Sequence, residues 1–137
     1  MLDTNILSES LKSAPAHTVM RWLAAQDSSP LYTSAVSQAE IPYGVEALPP
    51  SRRKDRIRTA IERIFAEEFG DWILPFDPDA PHAFAGIVIA RRAVGRPISQ
   101  LDAMIAAISR SHRAAVACRN TAYFEGCGIA VINPSVG

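Results

Sequence analysis

With two cysteines, three histidines and no net charge, this chain of 137 residues has little of three things that often announce function. Cys118 and Cys127 are not spaced as C-x-x-C, so the simplest expectation is two free, buried thiols in a reducing cytoplasmic setting. His17, His82 and His112 are scattered and form no metal-ligand pattern. Lys and Arg number 14, and so do Asp and Glu, which excludes a global basic field but not a local basic patch. No apolar run reaches 18 residues, so no membrane span is expected. The start lacks a basic segment followed by an apolar one, so no secretory signal is read there. No G-x-G-x-x-G follows a strand, which argues against a dinucleotide-binding enzyme. At 48% hydrophobic residues the chain can fill a real core, and its length suits one domain over residues 1–137.

Hydrophobic periodicity divides the chain into alternating strands and helices. Residues 16–25, AHTVMRWLAA, place Val19, Trp22 and Leu23 at helical spacing behind Pro15. LYTS at 31–34 is β-prone and bounded by Ser28, Ser29 and Pro30. A helix is expected from 35 to 48, with Pro42 in its first turns, and another from about 51 to 69 carrying Ile57, Ile61, Ile64 and Phe65 on one stripe. ILPF at 73–76 reads as a strand, 79–94 as a helix broken by GRP, and 99–113 as a strongly apolar helix. AVAC at 115–118 and IAVIN at 129–133 read as buried strands. This alternation predicts an α/β fold with a central parallel sheet, whose sites form beyond the carboxyl ends of the strands. Only Met1 and Leu2 precede Asp3 in the first strand, so an upstream native start is expected. An intact mass of protein from the native host matching residue 1 as the start would overturn that expectation.

Three acids stand where helices begin: Asp3 in LDTN, Glu40 in SQAE and Asp102 in SQLD. Capping explains each one taken singly. Ser37 with Glu40, and Ser99 with Asp102, fit the capping box, and Asp3 could be a plain N-cap. Two details weigh against capping alone. Asp102 opens the nearly uncharged helix AMIAAIS, and Glu40 lies between Ala39 and Ile41 in a helix with a thin polar face. A carboxylate in such surroundings is costly unless it is paired or binds a cation. Mg2+ takes oxygen ligands, keeps several waters and uses one or two carboxylates directly.

LDTN, the AE of SQAEIPYGV, LDAMIAA and RNTAYFEGCGIAVINP together resemble the PIN-domain ribonucleases, most closely the VapC-type and FitB-like toxins of bacterial toxin–antitoxin pairs. The resemblance spans nearly the whole chain. It implies a three-layer α/β/α sandwich and cleavage of RNA dependent on Mg2+ or Mn2+. It also implies a cognate antitoxin that blocks the site and binds operator DNA, and a homodimer within that complex. Carried over by residue, Asp3 and Asp102 match the family's metal ligands and Glu40 its third acid. Thr4 and Asn5 match supporting polar residues, and Ser99 joins them as the residue that opens the Asp102 helix. The fourth acid of the fuller pattern is here Asn120, which offers a neutral oxygen. That substitution keeps a second reading open, a catalytically weak module acting through its partner. A phosphatase with an aspartate nucleophile would want a second Asp where Asn5 stands.

The sequence offers Arg91, Arg92, Arg96 and Arg119 as RNA contacts, and a second basic run at 52–58 whose bland reading is a solvated helix face. For a partner helix, Trp22, Leu23, Tyr43, Val45 and Leu48 are the candidate groove.

Overall fold

The computed structural model describes residues 1–26 and 31–135; the expected turn at Ser28, Ser29 and Pro30 lies outside them. The helices are α1 (Thr4–Ser10), α2 (His17–Ala24), α3 (Ala35–Glu46), α4 (Arg52–Arg63), α5 (Ala80–Ala93) and α6 (Gln100–Ser111). The strands are β1 (Thr33–Ser34), β2 (Ile73–Leu74), β3 (Val116–Ala117) and β4 (Val131–Ile132). β1 pairs with β2 and β3 with β4, both parallel. Leu2 joins the two pairs, bridging Thr33 on one side and Ala117 on the other. The expected parallel α/β architecture is thus present, and its central rung is a single residue.

Every strand is shorter than its apolar pattern predicts. Ser34 ends β1 because it is also the N-cap of α3: its Oγ accepts the Ser37 N–H at 3.0 Å. The chain therefore turns helical as soon as it leaves the sheet. At the start of the chain, the Met1 ammonium donates to Ala115 O, Leu2 N–H to Tyr32 O and Asp3 N–H to Ala117 O. These bonds clamp three residues between two half-sheets.

Side-chain alternation across the sheet separates two cores. Met1, Leu74 and Val116 face one that holds Ile87, Ile105 and Phe124 from the α5 and α6 side. Leu2, Ile73 and Ala117 face the other, built from Ile6, Val19, Ile41, Ile61 and Phe65. This is the three-layer sandwich. Helix α6 is buried as its composition predicts: Ala103, Ile105, Ala106, Ala107 and Ile108 are all fully enclosed. The helix expected through 69 instead ends at Arg63 and continues as one π-helical turn, Ile64–Phe69. Successive i,i+4 steps on an α-helix drift by about 40°. The wider π turn takes back that drift, so Ile61, Phe65 and Phe69 all reach the core.

Arg91 corrects an expectation. It was read as an RNA contact, but it is only 6% exposed. Its Nε donates to Arg96 O at 2.7 Å, and Nη1 donates to Tyr123 O at 2.8 Å and Glu125 O at 2.9 Å. Gly126, at φ +73°, makes the turn beside this clamp in a conformation that suits glycine. Helical periodicity puts Arg91 on the same turn as the exposed Arg92 but does not say which of them the following loop covers. Because a lysine cannot fork to three carbonyls, Arg91→Lys is expected to lose about 2–4 kcal/mol in urea unfolding, while the exposed Arg92→Ala stays within about 0.5 kcal/mol.

Candidate active site

Asp3 leaves the central rung and immediately precedes α1. Its carbonyl accepts the Ile6 and Leu7 N–H groups at 3.1 Å, but its side chain makes no capping hydrogen bond to the helix. It is 4% exposed. Burial pushes its carboxyl up from 3.8 to about 6; the Thr4 N–H opposes this in part, and the Asp102 and Glu40 carboxylates add to the rise. A cap would do the reverse, since a bonded carboxylate is a stronger acid. The capping explanation therefore fails for Asp3.

It fails for Glu40 as well. The N-cap of α3 is Ser34, and Ser37 is already inside the helix. Glu40 Oε1 instead accepts the Thr4 hydroxyl at 2.8 Å. Thr4 Oγ1 lies 2.8 Å from Ser37 Oγ, and Ser34 Oγ donates to Ser37 Oγ at 3.3 Å. A hydroxyl carries one proton, and an ionised carboxylate only accepts. The direction is thus set by its end: Ser34 to Ser37 to Thr4 to Glu40. This chain ties α1 to α3 and holds Glu40 in one orientation. For Asp102, capping is half right. Ser99 Oγ accepts the Asp102 N–H at 3.2 Å, yet the Asp102 carboxylate returns no bond to Ser99 among the described residues.

Asp3, Glu40 and Asp102 line one cleft of roughly 400 Å³ with Thr4, Asn5 and Arg119. Asn5 Oδ1 is buried and has no hydrogen-bond partner among the described residues. Lone carboxylates, a hydroxyl and an orphaned amide oxygen form an oxygen-only donor set that suits a hard divalent cation. Among the described residues, no three His, Cys, Asp or Glu side chains form a ready-made cage. Asn120 starts the 3-10 turn Thr121–Phe124, is exposed, and does not line the cleft. Arg92 and Arg96 are exposed but absent from the lining, and Arg96 pairs with Glu125 at 2.7 Å. Of the four arginines proposed for RNA, Arg119 alone lines this cleft.

Sequence reasoning missed Ser8, Glu9, Lys12 and Tyr123, which also line the cleft. A signal for two of them existed. Asn5, Glu9 and Lys12 recur at i, i+4 and i+7, one helical face starting beside Asp3. Cys118 and Cys127 are buried and free, as expected. Burial, and then the Asp3 and Asp102 carboxylates, push the Cys118 thiol up to about 12, which keeps it inert. Among the described residues, no helix is long and apolar enough to cross a membrane.

The family model described as PIN domain matches residues 1–125. The VapC ribonuclease Y4jK of Sinorhizobium fredii is 35% identical over 134 residues, covering 98% of this chain and 96% of that protein. The toxin FitB of Neisseria gonorrhoeae is 34% identical with the same coverage of both. The solved structure of FitAB bound to an IR36 DNA fragment matches with a TM-score of 0.91 at 34% identity, over 98% of this chain and 94% of that one.

The raised Asp3 pKa has a direct consequence for stability. The folded state holds its proton more tightly than the unfolded chain, so stability falls as pH rises from 3.8 through about 6. Without divalent ions, Asp3→Asn is expected to be more stable than the unsubstituted protein above pH 6, by up to about 3 kcal/mol. The gain should vanish below pH 4. Urea unfolding at pH 3.5 and 7.5 reads both, and a destabilised variant at pH 7.5 would contradict the account.

Proposed function

The chain belongs to the PIN-domain family, among relatives of the VapC and FitB toxin type, and we propose that it is a metal-dependent endoribonuclease acting at the Asp3–Glu40–Asp102 cleft. The observation that carries this reading is the buried Asp3 carboxylate. It is desolvated, unpaired and set beside two further acids that raise its proton affinity. Such an arrangement burdens the fold and has a use only when something positive is bound.

Asp3, Asp102 and Glu40 would hold Mg2+ or Mn2+. When bound, such an ion supplies an activated water and charge neutralisation at a phosphoryl oxygen. The chain's own residues do the rest. The hydroxyl chain ending on Glu40 fixes that carboxylate. The Ser99 cap fixes the first turn of α6 and so the backbone at Asp102. Asn5 Oδ1 is enclosed and has no hydrogen-bond partner among the described residues, so a group bound in the cleft would have to displace its surroundings to satisfy it. Asn120, outside the cleft lining, is not assigned a role in this chemistry.

The likeness to FitAB bound to a DNA fragment supports a partner of the antitoxin type that reaches DNA, and on our reading that partner covers the cleft. The surface suited to it overlaps the expected one only in part. Trp22 and Leu23 pack against the core, and Tyr43 and Leu48 are exposed. A groove of roughly 560 Å³ between α1, α3 and α4 is lined by Val45, together with Leu11, Ile41, Ile57 and Ile61. It shares Thr4, Ser8, Lys12 and Glu40 with the cleft. An amphipathic helix laid there would cover the acids.

Three results are expected. Asp102→Asn should cut cleavage of a mixed RNA pool by at least about a hundredfold, and a chelator should do the same to the unsubstituted protein. Mg2+ should raise the melting temperature of the unsubstituted protein but not of Asp3→Asn. Ile57→Glu should weaken antitoxin binding at least tenfold, measured by calorimetry, and leave cleavage within about twofold. Cleavage by Asp102→Asn equal to that of the unsubstituted protein would remove the nuclease reading.

A further inference from the structure

Glu9 is a buried carboxylate that the chemistry above does not use. Its side chain is 7% exposed. Oε1 accepts the Ala16 N–H at 3.0 Å. Oε2 lies 2.6 Å from Lys12 Nζ and 3.7 Å from Arg119 Nη1. The two cations come from distant parts of the chain, one just past α1 and the other just past β3, and they meet only on Glu9. Their side chains stay 60% and 47% exposed, so these pairs add little to stability. Their placement has a clearer consequence. Lys12, Arg119 and Glu9 line the same cleft as Asp3, Glu40 and Asp102. Two partly exposed cations beside three carboxylates would be expected to fall onto them. Here neither pairs with those three acids, because Glu9 takes both. The ion pair with Lys12 is also the main reason the Glu9 carboxyl is held below its usual range, so Glu9 stays charged and keeps its hold.

Resting on the nuclease reading, we propose that Lys12 and Arg119 grip a backbone phosphate of the RNA strand beside the one to be cut, and that Glu9 is the positioning residue that keeps them clear of the metal-binding acids. Glu9 then separates the cleft into a region that attracts a divalent ion and a region that attracts phosphate. Arg119 offers a fork to phosphate oxygens and Lys12 a point charge. Both keep enough exposure to exchange a contact with Glu9 for one with a strand lying across the cleft. A chain with no net charge can hold RNA in this way, through a local pair of cations in place of a basic surface.

The experiment uses the full chain and a short, unstructured single-stranded RNA. Binding is measured in chelator across a salt series, cleavage in Mg2+, and melting temperature with and without Mg2+. Lys12→Met and Arg119→Met are each expected to lower the slope of log affinity against log salt by about 0.7. Each should also raise KM several-fold with kcat within about twofold, and Lys12→Arg should restore the slope. Glu9→Gln keeps both cations and therefore the slope. It should shrink the rise in melting temperature caused by Mg2+, as the released cations neutralise the acids, and adding Lys12→Met should bring much of that rise back. A merely structural Glu9 would lower the melting temperature and leave its Mg2+-dependent increment intact. Cleavage by the unsubstituted protein with unchanged slope and KM in Lys12→Met and Arg119→Met would overturn the phosphate grip. An unchanged Mg2+ increment in Glu9→Gln would overturn its positioning role. RNA binding with altered slopes but no cleavage by any form would retain the grip and remove the nuclease reading instead.

Discussion

A carboxylate held out of water at the end of the central rung is the constraint around which this molecule is organised. Asp3 is there because Leu2 alone, among the described residues, joins the two strand pairs, and Asp3 follows it. The peptide bonds of residues 1–3 are clamped on both sides, so the side chain cannot withdraw to solvent. Helix α6 starts nearby with Asp102, and α3 brings Glu40. Folding therefore brings like charges together in a poorly hydrated place, against their mutual repulsion. The two apolar cores supply the stability that makes this tolerable. They flank the sheet on both faces and leave its carboxyl end to the acids.

The polar groups around the cleft are arranged with a direction. A relay of hydroxyls runs from Ser34 to Glu40 and leaves that carboxylate with one orientation. Glu9 does something different with the same functional group, since it is surrounded by cations and accepts a backbone N–H. Burial without a cation to pair it raises the proton affinity of Asp3, and cationic partners lower that of Glu9. Two carboxylates a short distance apart on the chain thus have opposite chemistry, decided by their neighbours. Net neutrality over the whole chain conceals this local separation of charge.

Much of the architecture was legible. The alternation of strand and helix patterns gave the order of elements, and the apolar composition of 103–108 correctly marked α6 as enclosed. Boundaries were less so, because a strand residue whose ladder partner has already turned helical is no longer in a sheet. LYTS contributes only Thr33 and Ser34 for that reason. The π turn after Arg63 was hidden, since Phe65 and Phe69 satisfy a continuous α-helical stripe about as well. Among site residues, Asp3, Thr4, Asn5, Glu40, Asp102 and Arg119 reach one cleft, whereas Asn120 does not. Glu9 was passed over although it lies on the Asn5 face of α1, and so was Lys12, which continues that spacing just past the helix.

What the sequence determined by itself was local. Each element's period sets which of its residues share a face, Ser34, Ser51 and Ser99 set where α3, α4 and α6 begin, and the chain order sets which patterns alternate. Only the tertiary structure decided what each face meets. Arg91 and Arg92 are neighbours on one helix, yet one is closed over by the loop at 123–127 and the other faces water. Asp3, Glu40 and Asp102 are far apart along the chain, and nothing in their own segments encodes their proximity. The reason is physical. Periodicity arises from a few backbone angles repeated along one element, whereas desolvation and charge coupling depend on distances through space to other elements, which exist only once the sheet has brought them together.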